Sequence, residues 1–233
     1  MNPTQPRILA FDVFGTVVDW HASVAAEVDA LKLGVSGAEF AREWRAGYKP
    51  AMARVKSGEL GWTRIDDLHR MILVDLLARL GITGLDEAAI THLNRVWHRL
   101  IPWPDTRAAL EKLKERYTLC TLSNGNIGLL ADMAKNAGLP WDCILSAEVF
   151  RRYKPDPATY LGVAEVFDVA PAEVMMVAAH QSDLDAARDC GLQTAYIERP
   201  NEYGADAPKS VSGSASNTRH ARDLEDLAMQ LDC

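Results

Sequence analysis

RILAFDVFGTVVDW, residues 7–20, joins an apolar run to a carboxylate and a glycine turn. Its apolar run Ile8, Leu9, Ala10, Phe11 stops at Asp12; Gly15-Thr16 then turns the chain before Val17 and Val18 resume the apolar pattern. A short apolar run closed by turn residues reads as a buried strand that delivers a carboxylate to its C-terminal tip. In open α/β sheets, ligands bind in the crevice outside the carboxyl ends of the strands, so Asp12 stands where chemistry is done. A carboxylate attacks carbon or phosphorus without first losing a proton, and the ester or acyl phosphate it forms divides one hard step into two easier ones. An ordinary Asp opening a turn after a strand has the same local look, and this stretch alone leaves both readings open.

C-terminal to this stretch, apolar residues recur at helical intervals over residues 21–31, then over 38–55, 64–80 and 87–100, with GELG at 58–61 and GITG at 81–84 as breaks. No strand pattern falls between Gly34 and Ile101. Beyond it, strands and helices alternate. Strands are expected over 118–122, 143–146, 174–179 and 194–197, and helices over 105–116, 126–136, 157–167, 182–189 and 224–231. The expected architecture is therefore a Rossmann-like α/β core with a parallel sheet, residues 1–33 and 102–233, carrying an inserted α-helical cap, residues 34–101. The cap would lie over Asp12. Polar residues mark the ends of several strands: Asp12, Ser123, the nearby Lys154, and His180 with Asp183. The segment 202–217, with KSVSGSAS, reads as a loop or mobile stretch.

Composition sets the outer bounds. At 233 residues, 48% hydrophobic and 24% charged, the chain has the make-up of a globular protein with a sizeable core. A net charge of -7 speaks against nucleic-acid binding, which calls for a basic stripe. No window is long and apolar enough to span a bilayer, and MNPTQPR lacks the pattern of a signal peptide, so a cytoplasmic location without membrane contact is expected. Cys120, Cys143, Cys190 and Cys233 are scattered without metal-type pairing and read as small buried thiols.

Four motifs in order, FDVFGT around Asp12, LSNG around Ser123, the lysine of YKPD, and the acidic stretch after the fourth strand, resemble those of the haloacid dehalogenase superfamily. The resemblance spans nearly the whole chain and implies an aspartyl-enzyme intermediate. Two departures separate the chain from the magnesium-dependent phosphatases of that superfamily. Phe14 stands where their general-acid Asp would be, and Ala178-Ala179 where their acidic metal ligands would follow the fourth strand. Magnesium prefers hard oxygen ligands and would keep little beyond Asp12.

The chain is more similar to the L-2-haloacid dehalogenases, which use no metal or other cofactor. The resemblance then implies Asp12 as nucleophile on the carbon bearing halogen and Thr16 as the group holding its carboxylate. Arg45 on the first cap helix would receive the halide, and Ser123 and Asn124 would line the carboxylate and halide sites. Lys154 would keep Asp12 ionised, since an adjacent cation favours the charged form. Tyr160 and Asp183 fill the remaining positions, with Asp183 and Lys154 ordering the hydrolytic water. The expected partner is a small haloacid, and relatives of this kind are often dimers, which makes a homodimer the expected assembly.

One stretch departs from these dehalogenases at all three of its positions: Ala178-Ala179-His180 stands where they carry Ser-Ser-Asn. His180 is expected either to reach toward the nucleophile and the halide or only to cap the following helix. Its bulk favours short acids, fluoroacetate included. The alternatives are a magnesium-dependent phosphatase of a small metabolite, and a non-catalytic small-molecule binder that keeps the fold. The aromatic residues Trp20, Trp44, Tyr48, Trp62 and Trp103 read as core rather than site.

Overall fold

A computed structural model of the chain describes residues 5–233; residues 1–4, part of the MNPTQPR segment, lie outside the described residues. The elements in chain order are β1 (Ile8–Phe11), β2 (Val18–Asp19), α1 (Trp20–Ala30), α2 (Gly37–Ala46), α3 (Tyr48–Lys56), α4 (Ile65–Arg79) and α5 (Glu87–Asn94). There follow β3 (Ile101–Pro102), α6 (Thr106–Lys114), β4 (Thr118–Ser123), α7 (Ile127–Ala137), β5 (Cys143–Ser146), α8 (Ala147–Phe150) and α9 (Pro157–Phe167). The chain ends with β6 (Val174–Ala178), α10 (Gln181–Asp189), β7 (Gln193–Ile197), β8 (Arg219–Ala221) and α11 (Leu224–Gln230).

Six strands form one parallel sheet in the order β5-β4-β1-β6-β7-β8. β1 is fully buried because both faces of the sheet are covered, the usual state of parallel strands. Successive side chains of a strand point to opposite faces. Accordingly Ile8 and Ala10 pack with Tyr160, Val163, Leu184 and Ala187 of α9 and α10. Leu9 and Phe11 pack on the other side, in the large cluster that includes Leu110, Leu130 and Leu227 of α6, α7 and α11. β4 and β6 flank β1 in register, Phe11 lying opposite Thr121 and Val177, so the tips of all three strands open on the same edge.

The helical block α2 to α5 adds no strand to this sheet, and its Phe40, Trp44, Leu68 and Leu93 join the same cluster as Leu9 and Phe11. The single helix expected over 38–55 is two helices. Pro50 has no N–H to offer the Ala46 carbonyl, so the chain closes α2 at Gly47 and restarts with Pro50 in the first turn of α3. The helix expected over 87–100 stops at Asn94 and tightens to a 3-10 turn over Arg95–His98. That turn sets Trp97 in the core, stacked on His69 with ring centroids 4.2 Å apart.

Local chemistry accounts for most other boundaries. The side chains of Asp19, Ser36, Asp86, Asp156 and Asp223 each accept a hydrogen bond from a backbone N–H of the helix they precede. Gly138 ends α7 in the left-handed conformation, which costs glycine nothing. The segment 202–217 contains no helix or strand; its Glu202 is fully buried, and Arg199 just before it is 6% exposed and donates to both carboxylate oxygens of Asp105, at 2.8 and 2.7 Å. β8 was not expected; of its three residues only Ala221 is buried, too little for a strand pattern.

Candidate active site

Asp12 leaves the tip of β1 with its carboxylate 10% exposed, and the residue makes four hydrogen bonds, three of them through the carboxylate. Lys154 Nζ donates to Oδ1 at 3.0 Å. Thr16 Oγ1 donates to Oδ2 at 2.9 Å, and His180 Nδ1 lies 3.1 Å from the same oxygen. The Thr16 hydroxyl is itself aimed by the Ala179 backbone N–H, which donates to Oγ1 at 2.9 Å. The fourth bond is a backbone one: the Asp12 N–H donates to the Val177 carbonyl at 2.9 Å, tying the nucleophile's backbone to β6.

Lys154 bridges Asp12 and Asp183, donating to Asp183 Oδ2 at 2.5 Å, while the Tyr160 hydroxyl donates to Asp183 Oδ1 at 2.5 Å. Burial by itself would raise the Asp12 carboxyl, but the Lys154 ammonium and the His180 ring outweigh it and hold it well below 3.8. Burial opposes the Lys154 charge in turn, and Asp12 and Asp183 overcome that and push its ammonium above 10.5. Burial and then the Asp183 carboxylate push the Tyr160 hydroxyl up, so it stays a donor.

His180 is the N-cap residue of α10, but its side chain makes no capping bond. Both ring nitrogens face carboxylates, Nδ1 that of Asp12 and Nε2 that of Glu202 Oε1 at 2.8 Å. Against the burial penalty, these two bonds raise the imidazole to about 9. Glu202 is fully buried, and its Oε1 also accepts from Trp20 Nε1 at 3.2 Å while its Oε2 accepts from Lys209. Lys209 further donates to the Ala179 carbonyl at 3.0 Å. Gly15 makes this approach feasible. It has φ +83, and a Cβ there would overlap the Glu202 carboxylate.

The other expected residues stand around this centre without bonding Asp12 directly. Asn124 Oδ1 accepts from the Lys154 backbone N–H at 2.8 Å, fixing the lysine loop against the tip of β4, and its Nδ2 contacts Met52 Sδ at 3.5 Å. Ser123, fully buried, accepts from the Gly125 N–H at 3.1 Å, and Ser146 Oγ donates to the Gly125 carbonyl at 2.5 Å. Arg45 reaches in from α2 with its guanidinium carbon 4.1 Å from the Tyr48 ring centre and 5.7 Å from that of Trp20. Among the described residues its buried Nε has no partner and no carboxylate pairs with it. Tyr48 in turn feels the charges of Arg45, Lys154 and Asp12 together.

Four contributors escaped the sequence reading. Glu202 and Lys209 lie in the polar, Ser- and Gly-rich stretch that reads as a loop, and no local pattern marks them. Trp20 and Tyr48 read as core, and both are buried; only the tertiary arrangement turns the Trp20 indole N–H onto Glu202 and the Tyr48 face onto Arg45. Trp44 and Trp103 donate to backbone carbonyls of His69 and Gly15. Among the described residues no cluster of three or more His, Cys, Asp or Glu is arranged to hold a metal ion, and no helix is long and apolar enough to cross a membrane.

Comparison with known proteins agrees with this geometry. Residues 6–191 match the family described as haloacid dehalogenase-like hydrolase. The chain belongs to the haloacid dehalogenase-like hydrolases. Among curated relatives of this hydrolase, an (S)-2-haloacid dehalogenase of Xanthobacter autotrophicus is 30% identical over 217 residues, covering 89% of this chain and 81% of the relative. Among solved structures, a defluorinating L-2-haloacid dehalogenase superposes with a TM-score of 0.95 at 42% identity, over 99% of this chain and 100% of the other. A second L-2-haloacid dehalogenase superposes with a TM-score of 0.92 at 46% identity, over 98% and 100% of the two chains.

Proposed function

We propose that this hydrolase cleaves the carbon-halogen bond of short 2-haloalkanoic acids, fluoroacetate included, through an ester on Asp12 and without a metal ion. The observation that carries the reading is the Asp12 carboxylate clamped between two cations, Lys154 and His180, beside a third cation, Arg45, that no carboxylate among the described residues neutralises. Oδ2 accepts from both Thr16 and His180, whereas Oδ1 accepts only from Lys154. Oδ1 therefore keeps a lone pair for attack on the carbon bearing halogen. The leaving halide is an anion and goes to Arg45, while the 123–124 turn lines the substrate carboxylate.

Water then attacks the ester. Asp183, held by Lys154 and Tyr160, is the carboxylate that orders the water and takes its proton, with Lys154 as its partner. The block 34–101 serves as the cap: Met52 touches Asn124 and the Tyr153 hydroxyl donates to the Thr63 carbonyl at 2.6 Å, so the helices close on the strand tips and keep out bulk water. The metal-free reading is supported by the donor set, since the space beside Asp12 is filled by an ammonium and an imidazole rather than by acidic ligands. The bulky imidazole and the defluorinating relative both support small substrates.

The test is halide release from chloroacetate, L-2-chloropropionate and fluoroacetate in excess EDTA, with Asp12→Asn as control. Halide release that persists in EDTA and vanishes in Asp12→Asn is the expected result. Release of phosphate from p-nitrophenyl phosphate in magnesium, without any halide, overturns the proposal.

A further inference from the structure

The proton inventory of the His180 ring goes beyond the nucleophile. With Nδ1 on Asp12 Oδ2 and Nε2 on Glu202 Oε1, each nitrogen faces an oxygen that can only accept, so each carries a hydrogen. The ring is an imidazolium with no lone pair, and it cannot take a proton from water. It can only donate. Glu202 is equally committed: Trp20 and His180 occupy Oε1 and Lys209 occupies Oε2, with no exposed surface left.

Resting on the dehalogenase reading, the geometry points to Glu202 as a positioning residue that keeps His180 protonated, so that His180 and Thr16 form the oxyanion hole for hydrolysis of the Asp12 ester. If Oδ1 carries the substrate carbon, Oδ2 is the ester carbonyl oxygen, and it already receives the Thr16 hydroxyl and the His180 Nδ1–H. Water oxygen bonds to the Asp12 carboxyl carbon while one of its protons passes to Asp183, and the carbonyl electron pair moves onto Oδ2. The two donors meet the charge that forms there. Collapse restores the carbonyl, breaks the bond from the carboxyl carbon to Oδ1, and releases the hydroxy acid, whose alkoxide takes the proton held by Asp183. Asp12 regains a carboxylate, the second water proton having gone to solvent.

Glu202 matters most at this stage. In the free enzyme Asp12 and Glu202 both favour the imidazolium; once Asp12 is esterified its charge is gone, and Glu202 alone faces the ring as an anion. The cations Lys154 and Lys209 lie behind those carboxylates and oppose the ring's charge. Loss of the Glu202 charge therefore lets His180 deprotonate in the ester state, and the oxyanion loses a charged donor.

The experiment is rapid-mix kinetics on chloroacetate across pH, reading the first equivalent of halide, the ester on Asp12 by mass spectrometry, and glycolate. In the wild type, ester hydrolysis should fall on the alkaline side, at a pH between the ordinary imidazole value of about 6.5 and the free-enzyme value of about 9. Glu202→Gln should keep its halide burst, accumulate ester, and lose hydrolysis at lower pH than the wild type; Glu202→Asp, which restores the charge, should move that limb back. His180→Ala should slow ester hydrolysis by about 10²–10³-fold at every pH, the usual effect of removing one oxyanion donor. Ester hydrolysis in the wild type that rises with pH through this range makes His180 a base and overturns the proposal. So does a Glu202→Gln enzyme that folds and loses the burst itself while no ester accumulates. Absence of halide from the wild type would instead refute the dehalogenase reading.

Discussion

Replacing Lys154 by Met removes the ammonium while keeping most of the side chain's length and volume. The lysine nitrogen stands 3.0 Å from Asp12 Oδ1 and 2.5 Å from Asp183 Oδ2, and its side chain is 7% exposed. At 3.0 Å and an effective dielectric of about 20, one such contact is worth about 5 kcal/mol before desolvation is subtracted. Breaking a buried pair leaves the partner's charge unpaired, and measured costs run to about 3–5 kcal/mol. Here two carboxylates are left. We therefore expect the Lys154→Met protein to be about 3–5 kcal/mol less stable at neutral pH by urea unfolding. The Asp12 carboxyl is held below its ordinary value in the folded state, so its contribution is present above the unfolded value of about 4 and is lost as pH falls below it. The variant lacks most of that contribution, and the gap between the two proteins should narrow on going from neutral pH to about pH 3. Halide release in a single turnover should drop by at least about 10²-fold, the scale for a charged donor at a reacting group. A neutral-pH gap under about 1 kcal/mol, the value of a solvated surface pair, would refute the reasoning, as would a gap that widens in acid.

Gly15→Ala should lower stability by about 1–2 kcal/mol from the left-handed backbone alone, and further from overlap with Glu202, with a lower melting temperature and slower ester hydrolysis as readouts. Tyr160→Phe removes the hydroxyl that donates to Asp183 and leaves that oxygen unsatisfied; thermal unfolding should show a loss of about 1–3 kcal/mol, and glycolate formation should slow more than the halide burst. Buried His69 stays neutral, its imidazole pushed down to about 3 by burial and by the Arg45 charge. Because the unfolded chain takes up a proton near pH 6.5 and the folded chain does not, stability is lost as pH falls below that value, by about 3 kcal/mol at pH 4.5. His69→Phe should remove this dependence, so the urea midpoint should fall more steeply in the wild type than in the variant between about pH 7 and pH 4.5; parallel midpoints would contradict the assignment.

The pattern along the chain determined much of this protein. An apolar run ending in Asp12, helical spacing through residues 21–31, and strand tips carrying Ser123 and His180 are all set within a few residues, because periodicity and turn chemistry act over that range. Breaks such as the one at Gly47 were also written locally, in Pro50, although a continuous apolar period over 38–55 masks them. Tertiary structure alone decided what meets at the strand tips. Lys154 comes to Asp12 from 142 residues away, His180 from 168, and Trp20 reaches Glu202 across 182. Nothing near Glu202 in the sequence distinguishes it from a surface carboxylate in a polar loop. Its place in the site follows from burial, which strips away water and leaves a charge compensated by the indole, imidazolium and ammonium that the fold delivers to it.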